Sequence, residues 1–276
     1  MIEDQPAKAA ATARIDTTVA HPARRYDYWL GGADNFAADR ESGDAVAAAF
    51  PTVRTAAIEN RRFLRRAVTY LTREAGIRQF LDIGTGIPTA NNTHQVAQAI
   101  APESRVVYVD NDPIVLVHAR ALLTSTAQGR TSYLDADLRE PEKILAHPDL
   151  HATLDLDQPV ALMLVAVLHF LTDADDPYGA VGKLVSAMPA GSYLTVTHAT
   201  NDHMPPETSS AVNDADNRAR VPFQFRGRDE FARFLRGTEL VAPGITSVAQ
   251  WRADDEVQPR PSAADTAVYG AVARIR

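Results

Sequence analysis

Residues Arg78 to Pro88 read RQFLDIGTGIP, and this run predicts how the rest of the chain is arranged. Its apolar first half is typical of a short buried strand, whereas Gly84 and Gly86 permit a tight turn in which the backbone approaches a ligand closely. In an open α/β sheet, the crevice at the carboxyl end of such a strand binds nucleotide-like ligands. The run therefore predicts a first parallel strand followed by one wall of a ligand site.

The same run differs from the G-x-G-x-x-G fingerprint that holds the pyrophosphate of a dinucleotide. Thr89 stands where the third glycine is expected, and Pro88 before it has no N–H to offer a phosphate. Asp82, which precedes the first glycine, would repel a phosphate but suits a ligand that carries positive charge. A NAD-dependent oxidoreductase is therefore kept only as a less favoured alternative.

Composition narrows the class of protein. The chain has 276 residues, 45% of them apolar, which is enough for one large α/β domain with an N-terminal addition. Its net charge of −7 and pI of about 5.6 argue against non-specific binding to nucleic acid or to anionic membranes. The absence of cysteine excludes disulfides, thiolate nucleophiles and cysteine-based zinc sites, and no metal site is predicted. No apolar run reaches the ~18 residues that span a bilayer, and Met1 to Ala20 lack a signal-peptide core, so a cytoplasmic location is expected.

Strand-like and helix-like stretches alternate along the chain. This alternation predicts a parallel sheet with helices on both faces, although two closely spaced strands at the end do not fit a pure dinucleotide fold. We expect a flexible start at 1–20, a helical cap at 21–76 and the α/β domain at 77–276. The predicted strands are 78–83, 105–109, 131–138, 159–170, 192–198, 239–248 and 266–275. The predicted helices are 39–50, 51–74, 93–100, 114–123, 172–188, 206–218 and 228–235.

Polar side chains follow the second and third predicted strands. A carboxylate at Asp110 suits a bidentate grip on two ribose hydroxyls, while Asp112 is expected to cap the next helix. Asn111 lies within reach of an adenine or a ribose. Asp137 can accept a hydrogen bond from an adenine amino group, so these side chains predict the nucleoside end of the site.

Aromatic residues are concentrated in the helical cap. Tyr26, Tyr28 and Trp29 precede a Gly31-Gly32 joint. One interpretation is a moving lid, formed with an insertion at 201–225, over a pocket for a small substrate. The other is a short helix that ends at Gly31 and packs its aromatic side chains on the domain. The sequence does not decide between them.

Polar residues on the long helix 51–74 have two interpretations. Asn60 interrupts the apolar stripe, so it is either a core amide with a satisfied hydrogen bond or a side chain that faces the N-terminal segment or the pocket. A run of basic residues on the same helix is interpreted as a solvated face. These residues are Arg61, Arg62, Arg65 and Arg66.

Two histidines are candidates for a general base, because histidine titrates near neutral pH. His169 follows the long apolar run of the fourth predicted strand, and His198 ends the fifth. Both positions fall at the carboxyl edge of the predicted sheet. A structural role is the alternative for each.

Five motifs in order extend this interpretation: RYDYWLGGADNF at 25–36, NRRF at 60–63, DIGTGIPT at 82–89, YVDNDP at 108–113 and AVLHF at 166–170. Together they resemble an actinobacterial family of S-adenosyl methyltransferases, formerly a domain of unknown function, within the class I superfamily. The resemblance covers nearly the whole chain. It implies a Rossmann-like, mostly parallel seven-stranded sheet with an antiparallel last strand and an N-terminal helical extension.

The resemblance also implies S-adenosyl-L-methionine as cofactor and S-adenosyl-L-homocysteine as product. It places Gly84 and Gly86 against the methionine part, Asp82 near the ammonium group and Asp110 at the ribose. The implied cofactor residues are Asp82, Gly84, Thr85, Gly86, Asp110, Asn111, Asp137, Leu138, Ala166 and Val167. The residues assigned to the substrate or lid are Tyr26, Tyr28, Trp29, Asn35 and Asn60.

The favoured function is methyl transfer to an oxygen or nitrogen of a small molecule, since the acidic chain disfavours nucleic acid. Methyl transfer chiefly requires positioning and a dry pocket, and no particular catalytic side chain is obligatory. A non-catalytic regulatory protein that binds S-adenosylmethionine or S-adenosylhomocysteine is therefore the main alternative.

Overall fold

The computed structural model describes residues 16–115, 117 and 125–276. The helices are α1 (Pro22–Trp29), α2 (Ala37–Ala49), α3 (Val53–Arg73), α4 (Thr93–Ile100), α5 (Pro141–Leu145), α6 (Pro148–Thr153), α7 (Pro177–Ser186), α8 (Pro206–Ala219), α9 (Arg228–Arg233) and α10 (Ala263–Thr266). The strands are β1 (Gln79–Ile83), β2 (Arg105–Asp110), β3 (Arg130–Asp135), β4 (Ala161–Leu164), β5 (Tyr193–Ala199), β6 (Thr238–Leu240), β7 (Thr246–Ser247) and β8 (Val268–Ile275). Residues 113–115 and 117 are also helical, whereas the remainder of predicted helix 114–123 and most of the predicted flexible start lie outside the described residues.

The strands form one mixed sheet with the order β3-β2-β1-β4-β5-β8-β6. Strands β1 to β5 pair in parallel, and β8 lies antiparallel between β5 and β6. This arrangement confirms the predicted fold class. The carboxyl ends of β1, β2 and β4 meet at one edge of the sheet, which is where the predicted site residues lie.

The sheet differs from the prediction in its number of strands. The stretch 239–248 was expected to form one strand, but it forms β6 and β7, both of which pair with β8. Pro243 and Gly244 lie between them, and Gly244 has a left-handed backbone with φ of 83°. Proline donates no ladder hydrogen bond, so the strand cannot continue through this point and an eighth strand results.

Strand β4 is shorter than the apolar run around it predicted. The prediction extended the strand to Phe170, but it ends at Leu164, and residues Leu168–Phe170 form a 3₁₀ turn. Ala166 has a positive φ of 58°, and its N–H is donated to the Thr197 hydroxyl at 2.8 Å. Because that N–H leaves the sheet ladder, the chain turns away from β4 and His169 is not the residue that follows the strand.

Both faces of the sheet are covered by apolar side chains. Alternate residues of β1 point to opposite sides: Phe80 packs with Phe63 and Leu71 of α3, whereas Leu81 packs in the cluster that contains Leu184 of α7. Burial of each such side chain contributes roughly 1.5–3 kcal/mol. No helix within the described ranges 16–115, 117 and 125–276 is long and apolar enough to cross a membrane.

The N-terminal helices pack on the 201–225 insertion at the carboxyl edge of the sheet. Val46 of α2 and Val53 of α3 form a buried cluster with Val212 and Ala215 of α8. The interpretation of the arginine run as a solvated face was wrong for Arg66. Its guanidinium is buried and donates to the carbonyl oxygens of Trp251 at 2.8 Å and Val248 at 2.5 Å, so it ties α3 to the loop that follows β7.

Candidate functional site

A cavity of about 360 Å³, here called the main cavity, lies at the carboxyl ends of the parallel strands. Turns after β1, β2, β3 and β4 supply one side of it, and α1 and α3 supply the other. The structure brings all ten predicted cofactor residues together in its walls. They are Asp82, Gly84, Thr85, Gly86, Asp110, Asn111, Asp137, Leu138, Ala166 and Val167.

The turn after β1 requires its two glycines. Gly84 and Gly86 have positive φ angles of 75° and 68°, a region that other residues rarely adopt. A Cβ atom at Gly84 would also lie 2.4 Å from the Val167 side chain. The Gly86 N–H is donated to Asp110 Oδ2 at 2.8 Å, so the turn is fixed against the end of β2.

Asp110 is a buried carboxylate whose oxygens can accept more hydrogen bonds than the protein gives them. Its oxygens accept hydrogen bonds from the N–H groups of Gly86 at 2.8 Å and Asp112 at 3.0 Å. Burial raises the pKa of Asp110, and these hydrogen bonds offset part of the rise. Each carboxylate oxygen can accept a further hydrogen bond, so the group fits a pair of ribose hydroxyls. Asp112 accepts the Ile114 N–H at 2.9 Å, which is the capping role predicted for it.

Asp82, near the end of β1, also lines the main cavity, at the part where the resemblance places the methionine group of the cofactor. It is buried and accepts a hydrogen bond from the Thr93 hydroxyl at 2.6 Å. Burial raises its pKa to about 6, against the opposing effects of Thr93 and of the more distant Arg61. In the described part of the chain, no lysine or arginine forms an ion pair with it. A buried carboxylate in this state fits a ligand ammonium group.

A polar cluster closes the cavity beyond β3. Asn111 donates to Asp137 Oδ2 at 2.8 Å, and the Arg139 guanidinium donates to both Asp137 oxygens at 2.9 and 2.7 Å. Burial alone would raise the pKa of Asp137, but the hydrogen bonds from Arg139 and Asn111 outweigh it and lower the pKa. The cluster therefore presents an ionised carboxylate at the end predicted to hold the adenine.

A second cavity of about 90 Å³, here called the inner chamber, adjoins the main cavity. The two share Tyr26, Asn60, Ala166 and Phe170. The inner chamber lies between the N-terminal helices, the 201–225 insertion and the ends of β5 and β8, and its walls are almost entirely apolar. A ligand in the main cavity would thus meet a separate apolar space at Ala166.

The residues predicted to form a lid separate into two groups. Tyr26 lines both cavities and Trp29 lines the inner chamber. Tyr28 instead donates to Asp44 at 2.7 Å and lines neither cavity, while Asn35 donates to Asp27 at 2.9 Å and likewise lies outside both. The assignment of Tyr28 and Asn35 to the substrate does not match these positions, because their side chains hold the cap together.

The Gly31-Gly32 joint is packed rather than open. The Gly32 N–H is donated to the Asp27 carbonyl at 2.9 Å, and a Cβ atom at Gly32 would collide with the Asp27 carboxylate at 1.9 Å. That carboxylate also accepts the Asp34 N–H at 3.0 Å. These contacts favour the second sequence interpretation, a short helix that ends at this joint.

The two candidate histidines differ in their surroundings. His169 lines the inner chamber, and its Nδ1 atom is buried without a hydrogen-bond partner. Burial, with help from the nearby His198, Arg25 and Arg226, holds the pKa of His169 well below its usual range, so the ring is neutral at pH 7. His198 lines neither cavity, and its nitrogens contact the Ala199 carbonyl at 2.7 Å and the Arg226 guanidinium at 2.9 Å. Burial lowers the pKa of His198 to about 3.

Sequence reasoning missed several polar residues of the main cavity. Arg61 lines it and donates to the Asn92 side chain at 3.3 Å, although the sequence placed it on a solvated face. Arg139 and His21 line it as well, and His21 contacts Asp112 at 2.8 Å. The sequence offered only one hint of each arginine's place in the cavity. Arg61 directly follows Asn60, and Arg139 lies two residues after Asp137. No group of three or more histidine, aspartate or glutamate side chains within the described ranges is placed to hold a metal ion.

Comparison with known proteins agrees with this geometry. The S-adenosyl methyltransferase family model matches residues 8–276. A DUF574 family protein from Streptomyces avermitilis MA-4680 is 47% identical, with a TM-score of 0.90 over 95% of this chain and 100% of that one. A candidate methyltransferase from Thermobifida fusca YX is 38% identical, with a TM-score of 0.86 over 100% of both chains. A comparison with curated proteins gave no match. The chain therefore belongs to the S-adenosyl methyltransferase family, and its cofactor is S-adenosylmethionine.

Proposed function

We propose that the protein transfers the methyl group of S-adenosylmethionine to an oxygen or nitrogen atom of a small molecule. The observation that carries this proposal is the pair of adjoining cavities. One has the charged and polar groups that a nucleoside and an amino acid require, and the walls of the other are mostly apolar. They share Ala166 at their junction.

The main cavity fits the cofactor in its separate parts. In this assignment Asp110 accepts hydrogen bonds from two ribose hydroxyls. Asp137, whose oxygens already accept four hydrogen bonds from Arg139 and Asn111, exchanges one of them for the adenine amino group. Asp82 pairs with the ammonium group, which stabilises the ionised form of a carboxylate that burial otherwise disfavours. When bound, the cofactor supplies a methyl group on a positively charged sulfur.

The inner chamber supplies the position of the acceptor. A lone pair on the acceptor forms the new bond to the methyl carbon, the carbon–sulfur electron pair stays on sulfur, and the proton leaves the oxygen or nitrogen. His169 is the group assigned to receive that proton, because its Nδ1 atom is buried, unpaired and on the chamber wall. The ring is neutral and so has a nitrogen lone pair to accept with, and its lowered pKa makes it a weaker base than a solvent-exposed histidine. His198 is assigned a structural role, because both of its nitrogens have partners.

Two measurements test the proposal. Calorimetric titration with S-adenosylhomocysteine should show binding at a single site, and binding should weaken roughly ten- to a hundredfold when Asp110 is replaced by alanine. Release of S-adenosylhomocysteine should then be followed over a panel of phenols, alcohols and amines. Cofactor binding without turnover on any of them would favour the regulatory alternative, and absence of binding would overturn the proposal.

A further inference from the structure

The inner chamber carries no net charge. Its two ionised side chains, Arg25 and Asp216, are both buried and form an ion pair with each other. The ring of His169 is neutral and adds no charge to the chamber. A ligand that carried its own charge would lose its hydration without meeting a free opposite charge, which costs several kcal/mol. The chamber therefore selects an uncharged ligand.

Three buried atoms that can accept a hydrogen bond lack a donor on the chamber wall, namely Asn60 Oδ1, His169 Nδ1 and Asp216 Oδ2, and of these residues only Asn60 also lines the main cavity. The Tyr26 hydroxyl donates to the Ala57 carbonyl at 3.0 Å, so it can only accept from Asn60, whose Nδ2 atom lies 3.1 Å away. This fixes the orientation of the Asn60 amide and leaves its Oδ1 atom buried without a partner. An unpaired buried acceptor costs about 1–3 kcal/mol, which a ligand donor would recover.

The size of the chamber and its aromatic walls favour a ligand with an aromatic ring. Trp29, Phe50, Phe170, Phe223 and Phe225 all line it. Its volume is about 90 Å³, smaller than the ~150 Å³ engineered cavity that takes one benzene molecule. A single ring fits if one edge extends through the junction at Ala166 toward the main cavity.

We infer that the methyl acceptor is an uncharged molecule with one aromatic ring, and that its O–H or N–H group donates a hydrogen bond to Asn60 Oδ1 on binding and turns to His169, on the same chamber wall, when the proton leaves. The inference rests on the proposed function, since it names the substrate class of the same site. Asn60 lines both cavities, so a donor held by it lies where the two meet.

Four fluorinated probes test this inference on the full chain saturated with S-adenosylhomocysteine. Dissociation constants are measured by ¹⁹F NMR for 4-fluorophenol, 4-fluoroaniline, 4-fluorotoluene and 4-fluorobenzoate. The phenol or the aniline is expected to bind roughly three- to tenfold more tightly than the toluene, which has no donor. The benzoate should not bind. The phenol and aniline together distinguish an oxygen from a nitrogen acceptor.

Two variants locate the binding. Asn60→Leu should remove the advantage of the phenol and aniline over the toluene. Ala56→Leu, which adds bulk on the chamber wall, should abolish binding of all the rings. The matched control is Ala48→Leu, at an exposed alanine of α2 outside the chamber, which should leave every dissociation constant unchanged.

The outcomes separate the inference from the proposed function. If S-adenosylhomocysteine binds but the benzoate binds as well as the phenol, the substrate class is wrong. If ring binding survives Ala56→Leu, the chamber is not the binding place and the inference is overturned. Failure of S-adenosylhomocysteine itself to bind would overturn the proposed function before any probe is added. The comparison of phenol with toluene needs no variant, so it stands even if Asn60→Leu does not fold.

Discussion

The main cavity takes its polar groups from the turns after neighbouring parallel strands, whereas the inner chamber takes its walls from α1, α2, α3 and the 201–225 insertion. In the main cavity, the hydrogen bonds between neighbouring strands fix the position of each carboxylate relative to the next. In the inner chamber, side chains from distant parts of the chain meet around an apolar space. The cofactor site should therefore depend on single polar groups, and the acceptor site on shape and on one or two buried atoms.

The largest effect should appear on turnover when the inner chamber alone is altered. His169→Asn removes the neutral ring assigned to receive the proton but leaves the main cavity intact, so turnover should fall by about a hundredfold. Affinity for S-adenosylhomocysteine should change less than about twofold, because His169 does not line the main cavity. Steady-state kinetics on an identified acceptor and calorimetry measure the two quantities.

A matched control is His203→Asn, at an exposed histidine of the insertion that lines neither cavity. It should leave turnover unchanged. Since the pKa of His169 lies well below its usual value, turnover should also persist as the pH falls through 6.5. Turnover of His169→Asn within a fewfold of the parent would assign His169 a structural role only.

The second-largest effect is expected on cofactor affinity, when the main cavity is altered. Asp110→Ala removes the acceptor for two ribose hydroxyls and the anchor of the Gly86 N–H, so S-adenosylhomocysteine should bind roughly ten- to a hundredfold more weakly. Asp135→Ala is the control, because Asp135 lies opposite Asp110 in the β2–β3 register but is exposed and outside the cavity. Calorimetry on both folded variants gives the comparison. Equal affinities would remove Asp110 from the cofactor site.

The junction between the two cavities can be tested through stability. Thr197 and Thr195 are both fully buried on β5, but only the Thr197 hydroxyl has a partner, the Ala166 N–H. Thr197→Val leaves that N–H unpaired and should lower the free energy of unfolding by about 1–3 kcal/mol. Thr195→Val removes a hydroxyl without a partner and should be neutral or stabilising. Urea denaturation measures both, and equal losses would contradict this account of the junction.

The difference between the two halves also explains how much the sequence could predict. Asp82, Asp110 and Asp137 were found because each lies at or near a strand end, a local pattern of apolar run and polar turn. The family resemblance then supplied Ala166 and Val167. The mostly parallel sheet followed from the alternation of elements, and its antiparallel last strand followed from that resemblance, whereas the order of the strands was not predicted.

What the sequence did not predict depends on contacts between distant residues. The run from Val160 to Leu168 looks like one long strand, and only the hydrogen bond from Ala166 to Thr197 shows why it stops at Leu164. Arg66 looks like its solvated neighbours on α3 until the carbonyl groups after β7 surround it. No periodicity or motif encodes such partners.

The inner chamber escaped prediction for the same reason. Trp29, Val53, Val212 and Phe225 come from four separated segments and meet only in the folded chain. Their apolar character predicted burial but not a space left between them. Asn60 was noticed as a polar residue on an apolar stripe, yet only the geometry of Tyr26 and Ala57 shows which of its atoms is unpaired.

The smallest expected effect is the pH dependence of cofactor affinity, which we assign chiefly to Asp82. Burial raises its pKa to about 6 in the free protein, so below pH 6 the carboxyl group is mostly protonated. A ligand ammonium group binds the ionised form, and binding at lower pH must therefore release a proton. Affinity for S-adenosylhomocysteine should fall about tenfold between pH 7.5 and pH 5. The pKa of Asp110 is also raised by burial, so a part of this dependence belongs to it.

Asp82→Asn separates the two contributions and changes stability in the opposite direction from affinity. The asparagine can still accept the Thr93 hydrogen bond, but it carries no charge, so binding at pH 7.5 should weaken and its pH dependence should become shallower. An aspartate whose folded pKa is raised destabilises the fold above its unfolded pKa of ~3.9, so the destabilisation that Asp82 contributes should shrink as the pH falls from 7 toward 4, and the melting temperatures of the parent and the variant should converge. The buried histidines with lowered pKa values, His94, His169 and His198, reduce the stability of both proteins alike over the same range. The variant lacks this cost and should melt roughly 2–6 °C higher at pH 7.5. Calorimetric titration and thermal melts over that pH range measure both effects. An unchanged pH dependence of binding in Asp82→Asn would show that Asp82 does not pair with the ammonium group.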